Sequence, residues 1–459
     1  MKKHLKLFIF TALACTFLLG AGVSAQAASK VAINDTNFSS AVKTYAEEAD
    51  TNRDGYLSRK EASNVKEIHF DSSDYVDSIK GIENFTNLEN FDYDEMFFDE
   101  SEGIYQKATA SVIDLSNFKK LKRVQIYTIT DYLRTINLQD CTNLREVYIT
   151  GGCDSCIDAL NLKGCTNLRA IELSGLNITK LNLAGFQHLK EISISDSTRS
   201  LQTLNLKKCS SLKTVSVWSD SLTKLKLKKA KNLDSLSVTG RDLISVDLST
   251  NVQLKTLHIG WGGRTGITSM DLSKNKKLET LSCYWTELVS LDLSNNPNLI
   301  KVDCHKNPNL TKVNVKGCRK LRTLRLDNTN LEKLNVKTNT NLQVLRCKNT
   351  NLEKLNLKRN VNLRKLLCEN TRLTEWIFPI PASANRQHWN ATRMSQSPTQ
   401  NNHPPRTRMT GRGSVPGVSF CPAGTLLFPV GKRSCKTWDV CYNIGNKSMS
   451  FVYTIRRNI

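Results

Sequence analysis

From residue 118 to 378 the chain repeats itself, and that repetition constrains the fold more than any other feature of the sequence. Residues 165–185 read Cys-Thr-Asn-Leu-Arg-Ala-Ile-Glu-Leu-Ser-Gly-Leu-Asn-Ile-Thr-Lys-Leu-Asn-Leu-Ala-Gly. Residues 318–338 place apolar side chains at the same steps: Leu168/Leu321, Ile171/Leu324, Leu173/Leu326, Ile178/Leu331, Leu181/Leu334 and Leu183/Val336. Similar units start near 118, 141, 186, 209, 230, 251, 275, 296, 339 and 360, with a degenerate one from 85, so the period is 21 to 24 residues. Each unit carries Leu-x-x-Leu-x-Leu twice. The Leu-x-Leu alternation makes a short strand with one buried face. No unit can bury its leucines alone, so neighbours must stack on a common core. Both halves of the unit read as extended. The expectation is therefore a flat β-rich solenoid of about 12–13 coils with little helix.

Two polar or sulfur-bearing slots recur. An Asn or Thr follows three residues after the second strand leucine, as Thr350 follows Cys347, and can hydrogen-bond the backbone where it turns. Cys283, Cys304, Cys347 and Cys368 occupy the third apolar slot, with Leu326 taking it between them. Buried thiols serve there as small apolar groups. A ladder of free thiols is expected, although adjacent rungs such as Cys283 and Cys304 lie within reach of oxidation. Cys153 and Cys156 form a lone CxxC without a second pair or a nearby His, which reads as a loop thiol pair and not as a metal or redox site.

The N-terminal segment reads as an export signal: a basic start (Met1 to Lys6), an apolar run from Leu7 to Val23, and small residues before a cut after Ala27. No other stretch approaches the roughly 20 apolar residues of a membrane-spanning helix. Residues 38–49 place Phe38, Ala41, Val42, Tyr45 and Ala49 on one helical face. A twelve-residue loop follows at once, with oxygen ligands at Asp50, Asn52 and Asp54 and the turn glycine at Gly55. The Tyr56 carbonyl, Ser58 through water, and a closing Glu61 complete the set. The loop is expected to hold a structural Ca2+, with a second helix from Lys60 to about Ile68. The divisions are then a signal peptide at 1–27, an α-helical, EF-hand-like cap at 28–84, repeats at 85–378 and a tail at 379–459.

On these residues the chain resembles the leucine-rich-repeat surface proteins of Gram-positive gut bacteria, broadly internalin-like. The resemblance covers about residues 31–376. It rests on Ile33-Asn34-Asp35-Thr36-Asn37-Phe38, the calcium loop, the run Ile79 to Leu88, and units such as Leu288 to Leu299. It implies a leucine-rich-repeat solenoid and a non-enzymatic secreted or wall-attached factor that binds host or microbial ligands. The anchor or immunoglobulin-like modules usual in that family are not visible in the sequence.

The net charge of +23 is unevenly spread. Residues 31–117 hold 7 Lys/Arg against 19 Asp/Glu, residues 118–378 hold 43 against 22, and residues 379–459 hold 11 against 1. A basic body outside the cell favours anionic glycans or wall polymers, or a host protein, and need not mean nucleic acid. Strand slots between the core leucines hold Trp218, His258, Tyr284 and His305, with Trp261 and Trp285 one step further. They read as an aromatic strip amid lysines, suited to stacking on acidic sugars. The sequence carries no phosphate-binding glycine loop, no HExxH and no nucleophile elbow, so no catalysis is expected. Two functions follow: adhesion or ligand recognition, or a structural role in which the basic body is held to anionic wall polymer without a specific receptor. The tail holds eight of the ten prolines and reads as a basic disordered or frameshifted segment.

Overall fold

The computed structural model describes residues 30–71, 74–94, 109–128, 131–152, 157–196, 200–260 and 263–377, together with three strands between 425 and 455. The repeats form the expected solenoid. Fourteen parallel strands, from Glu67–Phe70 to Lys365–Leu367, stack in chain order into one sheet. The second half of each coil contributes shorter strands, such as Lys180–Asn182, Thr203–Asn205 and Lys224–Lys226, paired in parallel over two or three coils at a time. Leucines from both sets are buried in a single continuous core. Along the long sheet the burial pattern alternates as Leu-x-Leu demands, as in Thr214–Ser219, where Val215 and Val217 point inward.

The corners between strands follow the polar slots. Thr329, Thr350 and Thr371 donate their hydroxyls to Leu326, Cys347 and Cys368 carbonyls at 2.9, 2.9 and 3.0 Å. Asn307 does more. Its amide nitrogen donates to the Cys283 and Cys304 carbonyls at 2.6 and 2.8 Å, and its oxygen accepts from the Thr286 amide and hydroxyl, both at 2.7 Å.

A second buried column was not visible in the pattern. Asn251, Asn275, Asn296, Asn339 and Asn360 each donate to two carbonyls of the preceding coil, for example Asn339 to Val315 and Cys318 at 2.9 and 2.8 Å. Elsewhere the same slot holds Cys141, Cys165, Cys209 and Cys318, whose thiols donate to the corresponding carbonyls at 2.9 to 3.2 Å. Cysteine thus replaces an asparagine donor in these coils.

The four cysteines of the third apolar slot are also buried, and the eight cysteines described in the repeats, Cys141 to Cys368, are free. The Cys283 and Cys304 sulfurs lie 2.8 Å apart. Burial pushes the Cys368 thiol up to about 12 and raises Cys347 well above its ordinary value, so these thiols stay protonated and unreactive. Cys153 and Cys156 lie outside the described residues.

At the N-terminal end, β1 (Lys30–Ala32) pairs antiparallel with β2 (Tyr56–Ser58), which follows α1 (Ser40–Ala49) and leads into α2 (Arg59–Ala62). Phe38, Val42 and Ala46 are fully buried under α1. The second helix is shorter than expected. It stops at Ala62, and Glu67–Phe70 is instead the first strand of the long sheet, because Ile68 and Phe70 are buried while Glu67 and His69 face out. In the tail, where no regular structure was expected, Thr425–Phe428, Lys436–Asn443 and Ser448–Ile455 pair as an antiparallel meander. The last two strands are rich in aromatic and β-branched residues, which suit strands.

Candidate functional site

Two regions hold the candidate residues. In the N-terminal loop, Gly55 takes a left-handed backbone, φ +79°, at the sharp turn. Asp50 accepts from the Asp54 and Gly55 amides at 3.2 and 2.9 Å, Asn52 from Asp54 at 2.9 Å, and Asp54 from Tyr56 at 2.9 Å. Asp50 and Glu61 are buried. Ser58 caps α2 by accepting from the Glu61 amide, and the Glu61 carboxylate accepts in turn from the Ser58 amide at 2.9 Å. These bonds hold the Glu61 carboxyl below its usual range. The Lys30 ammonium pairs with Asp54. The ligand set is all oxygen, as a hard cation requires. Among the described residues, however, no three acidic, His or Cys side chains converge on one point.

The second region is the outward face of the long sheet, where the strand register brings residues from distant coils together. Trp218 pairs with Thr239, His258 with Ser282, and Ser282 with Asp303 in turn. Tyr284 and His305 stack with ring centroids 4.8 Å apart. Trp218 is 45% exposed, and the sheet from its strand to the next two carries Ser216, Ser235, Ser237 and Thr256 on its outward slots. Trp261 lies outside the described residues. Gly263, the neighbour of Arg264, lies beside the Trp218 indole, and Arg264 in turn lies over Trp285.

Lysines are unevenly placed on this face, with Lys306 over the Trp285 ring and Lys301 beside His258. From Thr214 to Cys283 the outward slots of this sheet hold serine, threonine, histidine and tryptophan without a lysine, because lysines cluster on the shorter strands and their turns, as at Lys224 and Lys226. Charge returns to the sheet only from Lys301 onward, and before Thr214 its outward charges are mostly acidic, as at Asp92, Glu146, Glu172 and Glu191.

At the Tyr284–His305 station the backbone itself is unusual. The residue two steps past the third apolar slot takes a left-handed conformation: Lys306, Asn328, Asn349 and Asn370 at φ 58°, 58°, 54° and 54°. Asparagine is enriched in this region and a bulky aromatic side chain is unusual there. Trp285 occupies the same corner at φ 60° and is 40% exposed. Lys306 and Arg264 lie over its ring, 4.7 and 5.9 Å from the centroid. Beside it runs a ladder of alternating charge. Asp303 bonds His305 Nδ1 at 2.6 Å. Arg325 Nε reaches Asp327 at 3.1 Å, and Arg346 Nε reaches it at 2.8 Å. The Asp327 side chain is only 3% exposed, whereas both arginine side chains are 32% exposed. The buried carboxylates fix the arginines, which keep N–H donors toward solvent. Arg264, Lys306, Arg325 and Arg346 were missed in the sequence, where each looks like an ordinary solvated charge.

His258 is held below its ordinary value of 6.5, first by burial and then by Lys301. A base whose folded value is depressed binds more protons when unfolded. Stability is therefore complete above the unfolded value and falls as pH drops below about 6.5. Thermal unfolding between pH 7.5 and pH 5, on scales set by that value, should show this loss, and His258→Gln should flatten it. An unchanged slope in the variant would show that His258 is not responsible.

The stacked coils, the strand-turn slots and the exposed sheet face define a leucine-rich-repeat solenoid. The model of the BspA-type leucine-rich-repeat region matches in six copies over residues 111–237 and 267–387, and the chain belongs to that family. Among solved structures the chain is similar to an internalin (inlF) of Listeria monocytogenes, at 17% identity over 78% of this chain and 94% of that one, TM-score 0.42. It is also similar to the functional domain of InlJ from the same organism, which includes a cysteine ladder, at 18% identity over 73% and 78%, TM-score 0.31. A third likeness is to the Leptospira interrogans leucine-rich-repeat protein LIC12759, at 15% identity over 64% and 92%, TM-score 0.26. No curated protein matches the chain. The family is one of repeat scaffolds, and no catalytic family is indicated. Among the described residues no helix is long and apolar enough to cross a membrane.

Proposed function

We propose that the chain is an exported binding protein without enzymatic activity, whose long sheet recognises an acidic glycan at the Tyr284–Trp285–His305 station. One observation carries the reading: an exposed tryptophan takes the left-handed corner that lysine fills in the next coil and asparagine in the three after it, with two cations over its ring. Strain of this kind persists where a side chain serves a ligand. The indole orders Lys306 and Arg264 while Arg325 and Arg346 offer further donors, an arrangement suited to carboxylate or sulfate groups on a sugar that also meets Tyr284. A glycan array of neutral, uronate-bearing and sulfated oligosaccharides tests it. The acidic glycans should bind and survive moderate salt, and an array with no acidic binder would sink the proposal.

The export reading rests on the N-terminal segment, and the calcium reading on the loop. The donor set from Asp50 to Glu61 suits Ca2+, and the Lys30 ammonium on Asp54 supplies a positive charge that an ion would replace. In our reading the ion ties β1, α1 and α2 together and stiffens the end of the core. Extracellular modules bind with dissociation constants of about 0.1–1 mM, so about 1 mM Ca2+ should stabilise the folded chain by about 0.4–1.4 kcal/mol. Calorimetry with and without chelator should show a higher midpoint with Ca2+ that Glu61→Gln abolishes. Identical midpoints in the unsubstituted chain would remove the ion from the account.

A further inference from the structure

We propose that the shorter strands of the last coils carry a second binding surface, for a linear phosphodiester polymer lying along two columns of stacked lysines. It is separate from the glycan station and does not depend on it. Isolated bridges pair Lys312 with Lys333 and Lys333 with Lys354, so these three lysines stack in register. Four residues on, Lys316, Lys337 and Lys358 occupy equivalent steps of the same coils, and all six side chains are exposed. Between the columns, Asn314, Asn335 and Asn356 accept from the Lys316, Lys337 and Lys358 amides at 3.1 Å, which uses them in shaping the turn. Among the described residues only Lys354 of the six is in an ion pair, with Glu375 at 3.0 Å.

Like charges stacked across neighbouring strands repel at a spacing of about 4.8 Å. The fold does not require them, because the preceding coil fills the same steps with Ser290, Asp292 and Ser294. A polyanion running along the solenoid axis, across the strands, would meet two cations per coil and turn that repulsion into attraction. Lysine presents a mobile point charge and no planar fork, which suits the phosphates of a flexible chain without a fixed recognition geometry. Single-stranded nucleic acids bind on aromatic stacking platforms. The outward slots of these three coils hold lysine, asparagine, threonine, glutamate and arginine, with no aromatic side chain. The chemistry favours a base-free polymer such as a poly(polyol phosphate). The two surfaces lie on different strands of each coil, so a chain held by its lysines would keep the glycan station open.

The test uses the full chain and fluorescently labelled, lipid-free poly(glycerol phosphate), with poly(dT) of equal charge as comparison, followed by anisotropy between about 50 and 200 mM salt. Lys333→Gln/Lys337→Gln/Lys354→Gln/Lys358→Gln should weaken binding at least tenfold and reduce the salt slope by about 2 to 3, at roughly 0.7 per lost contact. Arginine at the same four positions should retain binding. Lys207→Gln/Lys208→Gln/Lys228→Gln/Lys229→Gln removes the same charge from other coils and should cost less than threefold. Equal losses in the two glutamine variants would reduce the effect to net charge and overturn the proposal. So would tighter binding of poly(dT), or no binding of the phosphate polymer.

Discussion

Asn307→Ala is expected to destabilise the solenoid by about 3–5 kcal/mol, the largest effect of any single polar substitution in it. The side chain satisfies two carbonyls, one amide and one hydroxyl, all buried at the corner between the coils of Cys283 and Cys304. Alanine leaves at least three buried backbone groups without partners, at about 1–3 kcal/mol each before relaxation. Because each coil is stabilised chiefly by its neighbours, the loss should also split the unfolding transition, with coils on either side of Asn307 melting separately. Chemical denaturation followed by circular dichroism would show both effects. Asn339→Cys provides the contrast. Its amide oxygen has no partner, and Cys318 fills the equivalent slot of the preceding coil with a thiol donor. That exchange should cost only about 1 kcal/mol, one net hydrogen bond. A loss under 1 kcal/mol for Asn307→Ala would mean that the corner relaxes and that the asparagine does not hold the coils together.

Trp285→Asn should produce opposite changes in binding and stability. Asparagine accepts the left-handed corner that Asn328, Asn349 and Asn370 already occupy, so removing the strained tryptophan should raise stability by about 0.5–1 kcal/mol. The same substitution removes the ring that orders Lys306 and Arg264. Affinity for an acidic oligosaccharide should fall about 10- to 100-fold, the usual loss when a central aromatic anchor is removed. Titration calorimetry and thermal unfolding on one preparation separate the two. If the variant is less stable and binds as before, Trp285 is a packing residue and the station is misassigned.

The solenoid was legible because its cause is local. Leu-x-x-Leu-x-Leu fixes which side chains turn inward, and a period of 21 to 24 residues leaves no room for another architecture. The turn within the loop from Asp50 to Glu61 could be read for the same reason, since Gly55 and the residues that bond around it are consecutive. The proposed station at Trp285 was only half legible. Tyr284, Trp285 and His305 stand out as aromatics, but Asp303, Arg325, Asp327 and Arg346 become one ladder only once the strand register is known. The asparagine–cysteine column was missed because its members share no chemical class, only a donor aimed at the preceding coil.

The central claim is that ligand recognition takes place at Trp285 on the long sheet, and hydroxyl-radical footprinting tests it most directly. The full chain would be oxidised with and without a saturating oligogalacturonate hexamer, and modification followed residue by residue. The account predicts that Trp285 and Tyr284 are protected by bound sugar, with Trp218 and the exposed Tyr56 and Tyr75 unchanged. Bound sugar that leaves Trp285 as reactive as before, or that protects Trp218 instead, would contradict it.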